Sequence, residues 1–184
     1  MAGKIETIVK HTSHSVSNKK GSGSKAWFLS RIKNMNVDPI GYNISAMTFI
    51  GGMFFFKYDA KHKATLPYWD KFPLVIPLNI YDDGFLGLNL HYLPPILRAK
   101  LLDVLVSNLQ KAKGNRGVFL KISYPLLQTV AKNKNFEVCI KRYLSTHIKS
   151  RFVRVEEESW EEAAFLPLQQ FQKETDKEVW KRAR

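Results

Sequence analysis

Apolar residues crowd into three strand-length runs in the middle of the chain. Residues 52–58 read Gly-Met-Phe-Phe-Phe-Lys-Tyr, residues 74–78 Leu-Val-Ile-Pro-Leu, and residues 85–93 Phe-Leu-Gly-Leu-Asn-Leu-His-Tyr-Leu. Such runs, rich in aromatic and β-branched residues and separated by turn chemistry, predict an antiparallel sheet. A polar, hairpin-like loop at 59–65 and the segment Leu-Pro-Tyr-Trp-Asp-Lys-Phe-Pro at 66–73 join the first two runs. Asp83-Gly84 suits a turn that needs positive φ. Pro73 and Pro77 bracket the middle run, which predicts an edge strand or a bulge, because proline donates no ladder hydrogen bond. Gly87 interrupts the third run and predicts the sharp bend of a small closed barrel. The expected fold class is α+β: a small, strongly bent antiparallel barrel of SH3 type with C-terminal helices packed on it.

Helical patterning surrounds this core. Ser24 can cap a helix over 25–35, and residues 44–50 lead into the sheet. Pro94-Pro95 opens a helix expected to run to about residue 113 and to end at Gly114. Leu97, Leu101, Leu102, Leu105 and Leu109 lie on its apolar face, with Arg98 inside the apolar arc of the first turn. That arginine is either a partly buried, paired group or an end residue that snorkels to water, and its place in the first turn favours the second. Residues 118–122 fit either a strand or a helix start. Ser123 is expected to cap a helix over 124–134. Phe136, Cys139, Ile140, Tyr143, Leu144, His147 and Ile148 share one face of a predicted helix over 136–151. A closing strand follows at 152–155, then a short helix at 160–165 stopped by Pro167, with the acidic residues 156–158, Glu161 and Glu162 at its positive end. The predicted organisation is a polar, basic and mobile tail at 1–24, a barrel-plus-helices domain at 25–167 and a charged helix at 168–184.

Composition narrows the picture. A chain of 184 residues supports one domain, and twelve Phe, seven Tyr and four Trp can build its core. No apolar run approaches the roughly 18 residues of a spanning helix, and residues 1–24 lack a secretory apolar region. A lone cysteine, Cys139, excludes an internal disulfide and points to a reducing cytoplasm or a particle assembled there. Lysine and arginine number 29 against 16 acidic residues, a net charge of +13. An excess of that size speaks about partners, with nucleic acid first.

Enzyme signatures are missing: the chain has no P-loop, no G-x-G-x-x-G, no H-E-x-x-H and no G-x-S-x-G. Asp70, Asp82 and Asp83 with Lys71 can be read as a metal-nuclease centre, but two of the three sit beside a glycine where turn chemistry explains them. Cys139 reads as packing. The basic residues are more telling. Lys61 and Lys63 flank the polar loop and Lys71 follows it. Lys111, Lys113 and Arg116 surround the glycine turn, and Lys141, Arg142, Lys149 and Arg151 crowd the last third. Together they predict a surface that neutralises phosphates without reading sequence. Tyr68 and Trp69, between Pro67 and Pro73, are candidates to stack on an exposed terminal base pair, or else to lie as lids over the barrel mouth. No cofactor, metal or small-molecule substrate is called for.

Three long strings carry a resemblance. Residues 54–75 (Phe-Phe-Phe-Lys-Tyr-Asp-Ala-Lys-His-Lys-Ala-Thr-Leu-Pro-Tyr-Trp-Asp-Lys-Phe-Pro-Leu-Val), 83–95 (Asp-Gly-Phe-Leu-Gly-Leu-Asn-Leu-His-Tyr-Leu-Pro-Pro) and 139–152 (Cys-Ile-Lys-Arg-Tyr-Leu-Ser-Thr-His-Ile-Lys-Ser-Arg-Phe) resemble the DNA end protector proteins of T4-like bacteriophages, especially marine ones. The likeness runs from about Lys25 to the C-terminus. It implies a virion protein seated on the ends of linear packaged double-stranded DNA, with head and neck proteins as neighbours. It further implies a block on host exonuclease after injection, a part in completing the head, and residence in the host cytoplasm during assembly and after injection. A purely structural head, neck or tail component is the alternative, and a barrel-fold nuclease trails both.

Overall fold

The computed structural model describes residues 49–132 and 134–182. The expected tail, the helix over 25–35 and most of the lead-in at 44–50 lie outside the described residues. Among these described residues seven strands and five α-helices follow in order: β1 (Met53–Phe55), β2 (Trp69–Asp70), β3 (Leu74–Tyr81), β4 (Gly84–Asn89), α1 (Pro95–Ala112), α2 (Arg116–Lys132), α3 (Lys134–Glu137), β5 (Ile140–Leu144), β6 (Val153–Val155), α4 (Trp160–Phe165), β7 (Phe171–Gln172) and α5 (Asp176–Lys181).

Five strands form one antiparallel sheet in the order β5-β4-β3-β1-β6, and β2 pairs separately with β7. The fold is therefore α+β, as the patterning predicts, but no closed barrel is found among the described residues. β5 and β6 are the two edges and do not pair. The sheet curls far enough that the chain after β1 meets the chain after β5: Tyr58 bridges Ile148, Asp59 N donates to His147 O at 3.0 Å, and Lys149 N to Lys57 O at 2.8 Å.

The prolines bracket a central strand rather than an edge. β3 lies between β1 and β4, and its register shifts between Pro77 and Asn79, the bulge by which a sheet accommodates a missing donor. Gly87 is not a barrel corner. A Cβ there would lie 2.3 Å from Val75 Cγ1, so glycine is what lets the side chain of β3 settle against β4. Gly84 serves the opposite neighbour, because a Cβ there would lie 1.9 Å from the carbonyl oxygen of Tyr143.

Both sheet faces are covered, which is why β1 is buried at every position. On one face Phe54, Phe56, Phe85, Tyr143 and Phe152 meet mostly edge-to-face, with Phe49 closing the cluster. On the other, Phe55 stacks on Phe72 at 5.2 Å. Each ring fully removed from water contributes about 1.5–3 kcal/mol. The helices α1 and α2 form a hairpin inserted between β4 and β5, joined by Asn108 Nδ2 donating to Ser123 Oγ at 3.2 Å. α1 keeps its expected bounds and ends with Lys113 in the left-handed region before Gly114.

Four local expectations change. Residues 118–122 are helical, and α2 is continuous through Ser123, which is buried and bonded to α1 instead of capping. Asn115 supplies the cap, its side chain accepting from Val118 N at 3.1 Å. The helix expected over 136–151 is only α3 followed by strand β5, which pairs with β4 from Leu88↔Ile140 to Gly84↔Leu144. Residues 168–184 are not one charged helix, since β7 pairs with β2 and the six-residue α5 buries Val179. Arg98 does not snorkel. It is 2% exposed, and its guanidinium donates to Leu93 O (2.7 Å), Ala164 O (2.8 Å) and His91 O (3.0 Å) while lying over the Trp180 ring.

Candidate nucleic-acid interface

The polar loop after β1 folds back on itself, with Thr65 N and Leu66 N both donating to His62 O. Lys173, at positive φ after β7, pins this loop by donating to Lys63 O, Ala64 O and Leu66 O at 2.7–3.1 Å. Between the loop, β2 and the free edge of β5 lies a cleft of about 370 Å³. Tyr58, Tyr68, Trp69, Tyr92 and Tyr143 give it aromatic walls, and Lys61, Lys141 and Arg142 bring positive charge.

Its floor rests on a buried polar cluster centred on Asp70. One carboxylate oxygen accepts from Phe72 N (2.9 Å) and Gln170 N (3.1 Å), the other from Asn89 Nδ2 (3.3 Å) and His91 Nδ1 (2.7 Å). Tyr92 Oη accepts from Asp70 N, and Tyr143 Oη from Asn89 Nδ2. Burial works to raise the Asp70 pKa, yet His91 and the surrounding donors outweigh it and hold the carboxyl below its ordinary range. Burial lowers the pKa of His91 despite Asp70 beside it. A neutral imidazole with its proton on Nδ1 fits the geometry, because Nε2 is buried without a partner among the described residues and an unfilled acceptor is the cheaper orphan. Asp70 is thus a structural keystone whose lone pairs are already occupied. Asp83 pairs with Arg142 at the β3–β4 turn. Among the described residues no group of three or more His, Cys, Asp or Glu is arranged to hold a metal ion.

On strand β5 Lys141 and Arg142 point to opposite faces, as successive strand residues do. Lys141 is half-buried, with its ammonium 4.5 Å from the centre of the Tyr92 ring. It has no hydrogen-bond acceptor or acidic partner among the described residues. Burial lowers its pKa. Arg142 is turned toward the hairpin tip, paired with Asp83 and stacked 4.0 Å over Tyr81. Lys61 is exposed on the rim.

The remaining sequence candidates divide by position. Lys63 pairs with Asp59 at 3.0 Å, and Lys71 is exposed just past β2. Lys149 is exposed and donates to Thr146 O, and Arg151 is half-buried. Lys111 and Lys113 sit exposed at the far end of α1. Arg116 lines a second cleft of about 410 Å³ and is already engaged, with Glu157 at 3.3 Å and Ile50 O at 2.8 Å. The first cleft therefore gathers Lys61, Tyr68, Trp69, Lys141 and Arg142, but not the group around the glycine turn.

Tyr68 and Trp69 are half-buried and each carries a cation from the C-terminal segment, Arg182 at 4.6 Å over Tyr68 and Lys173 at 5.6 Å over Trp69. Sequence reasoning missed these two cations, which sit in a charged stretch with no local signal, and missed Tyr92 and Tyr143, whose apolar neighbours mark them as core.

The model of the family described as phage T4 terminal DNA protecting protein matches residues 3–183, nearly the whole chain, and the chain belongs to that family. No curated protein and no solved structure matches it.

Proposed function

We propose that this member of the phage T4 terminal DNA protecting family binds the ends of linear packaged double-stranded DNA without reading sequence. In this reading it shields those ends from host exonuclease, rides in the virion and helps complete the head beside head and neck proteins. The observation that carries the reading is the grouping of Lys61, Lys141 and Arg142 with the Tyr68 and Trp69 rings around one cleft, in a chain of net charge +13. Cations hold the phosphates, and flat rings suit the base-pair face that only a terminus exposes. In this reading Lys71 and Lys149, with Lys63 and Arg151, meet flanking phosphates, while Lys111 and Lys113 at the far end of α1 add charge away from the cleft and Arg116 stays with Glu157.

The test is exonuclease digestion of a linear duplex with the purified protein. Protection that grows with protein concentration, and is lost as salt rises, is expected. If about five phosphates are neutralised, log K falls with log salt at a slope of about −4 to −5. Linear DNA digested at the unprotected rate under saturating protein sinks the reading. Among the described residues no helix is long and apolar enough to cross a membrane.

A further inference from the structure

Among the described residues, Lys141 is the one cation of the cleft wall whose charge is neither paired nor fully in water. The buried Arg98 has three carbonyl acceptors, Arg116 has Glu157 and Ile50 O, and Arg142 has Asp83. Among the described residues Lys141 has only the face of Tyr92 beneath its ammonium. A partly desolvated cation without an anion is a cost to the folded chain, and a ligand anion entering the cleft removes it. The carboxylate at the cleft floor does not fill this role, because Asp70 already accepts four hydrogen bonds.

We propose that the cleft seats the terminal phosphate monoester of a DNA strand, with Lys141 as its anchor. The inference rests on the end-binding reading above and names the chemical group that marks an end. A monoester carries a charge approaching −2 at neutral pH, because its second pKa is near 6. Every internal phosphate of the duplex is a diester with a single charge, so a lone ammonium in a restricted cleft favours the terminus over the interior. At about 370 Å³ the cleft belongs to the size class of small-ligand sites, suited to one nucleotide unit. The Tyr92 face steers the ammonium by cation–π attraction, and the Tyr68 and Trp69 walls suit the base attached to that phosphate. Burial has already lowered the proton affinity of Lys141, and a bound dianion restores it.

The experiment compares short duplexes closed at one end by a hairpin, whose open end carries a 5′-phosphate, a 3′-phosphate or hydroxyls only. Binding is measured by fluorescence anisotropy at fixed salt. The wild-type protein is expected to hold at least one phosphorylated end about tenfold tighter than the hydroxyl end, and the two phosphorylated arms report which strand terminus is read. Lys141→Met, which keeps the apolar stem over the ring, should bring that ratio to within about twofold, whereas Lys141→Arg should retain most of it. Wild-type protein that binds all three ends equally overturns the phosphate seat and leaves end binding standing. A Lys141→Met protein that keeps the full ratio overturns it too. Failure to bind any of the duplexes removes the end-binding reading along with it. The wild-type comparison needs no variant to fold.

Discussion

Asp70 separates two polar regions built on opposite rules. Beneath it, His91, Asn89, Arg98 and the surrounding main chain form a buried network in which the charged groups have their partners. Above it, the cleft carries Lys61 and Lys141, which have no acidic partner among the described residues, and Arg142 with only an exposed Asp83. A buried charge must be satisfied within the chain or the fold does not form. A charge on a cleft wall can wait for its partner, so the unmet cations mark where a ligand belongs and the met ones mark what holds the site in shape.

The largest effect should come from Arg98→Met. It strands the carbonyls of Leu93 and Ala164 and removes one donor from His91 O, which keeps Trp180 Nε1. A loss of about 3–5 kcal/mol in urea unfolding is expected. A loss below about 1 kcal/mol would mean that the network does not act as a unit.

Asp70→Asn turns an amide donor toward amides that need an acceptor, at a cost of about 2–3 kcal/mol. The same network fixes the pH response. Asp70 and His91 both have lowered pKa values in the fold, so the unfolded chain takes up their protons more readily. Stability is therefore full above about pH 7 and falls on acidification. The first loss comes as pH drops below the ordinary 6.5 of histidine, the second below the ordinary 3.8 of aspartate. A urea midpoint that stays flat from pH 7 to pH 3 breaks this account.

Trp69→Ala stands on the border of the two regions, because Trp69 is both a β2 residue paired with Gln172 and a wall of the cleft. A half-buried ring should cost about 2 kcal/mol, and end protection should fall further than salt-dependent duplex binding. If the variant melts normally and still protects ends, the ring serves neither region. The smallest expected change in stability is that of Arg142→Ser, whose exposed pair with Asp83 is worth at most about 1 kcal/mol. Its salt slope should shrink by about one unit, and an unchanged slope would take Arg142 out of the interface.

Much of the scaffold was legible because it rests on local rules. Asp83-Gly84 announced the β3–β4 turn, Pro94-Pro95 and Gly114 bounded α1, Pro77 announced a bulge, and Pro167 stopped α4. β5 was not legible, because Phe136, Cys139, Ile140, Tyr143 and Leu144 fall at a helical spacing and show no strand alternation. What decides between them is the open edge of β4, where Gly84 leaves room for the Tyr143 carbonyl, a fact about a distant segment. That misreading also hid the difference between Lys141 and Arg142, which are alike in sequence and point to opposite faces.

By itself the sequence determined the charge, the aromatic core, the antiparallel hairpin and the family likeness, since each depends on residue type or on neighbours a few positions apart. Only the tertiary structure decided which charges are spent. Arg98 and Asp70 are consumed by carbonyls and amides up to a hundred residues away, while Lys141 is left beside a cleft whose carboxylate, Asp70, is already taken. Desolvation and pairing depend on what the folded chain brings within a few ångströms of a charge, and no local pattern records that.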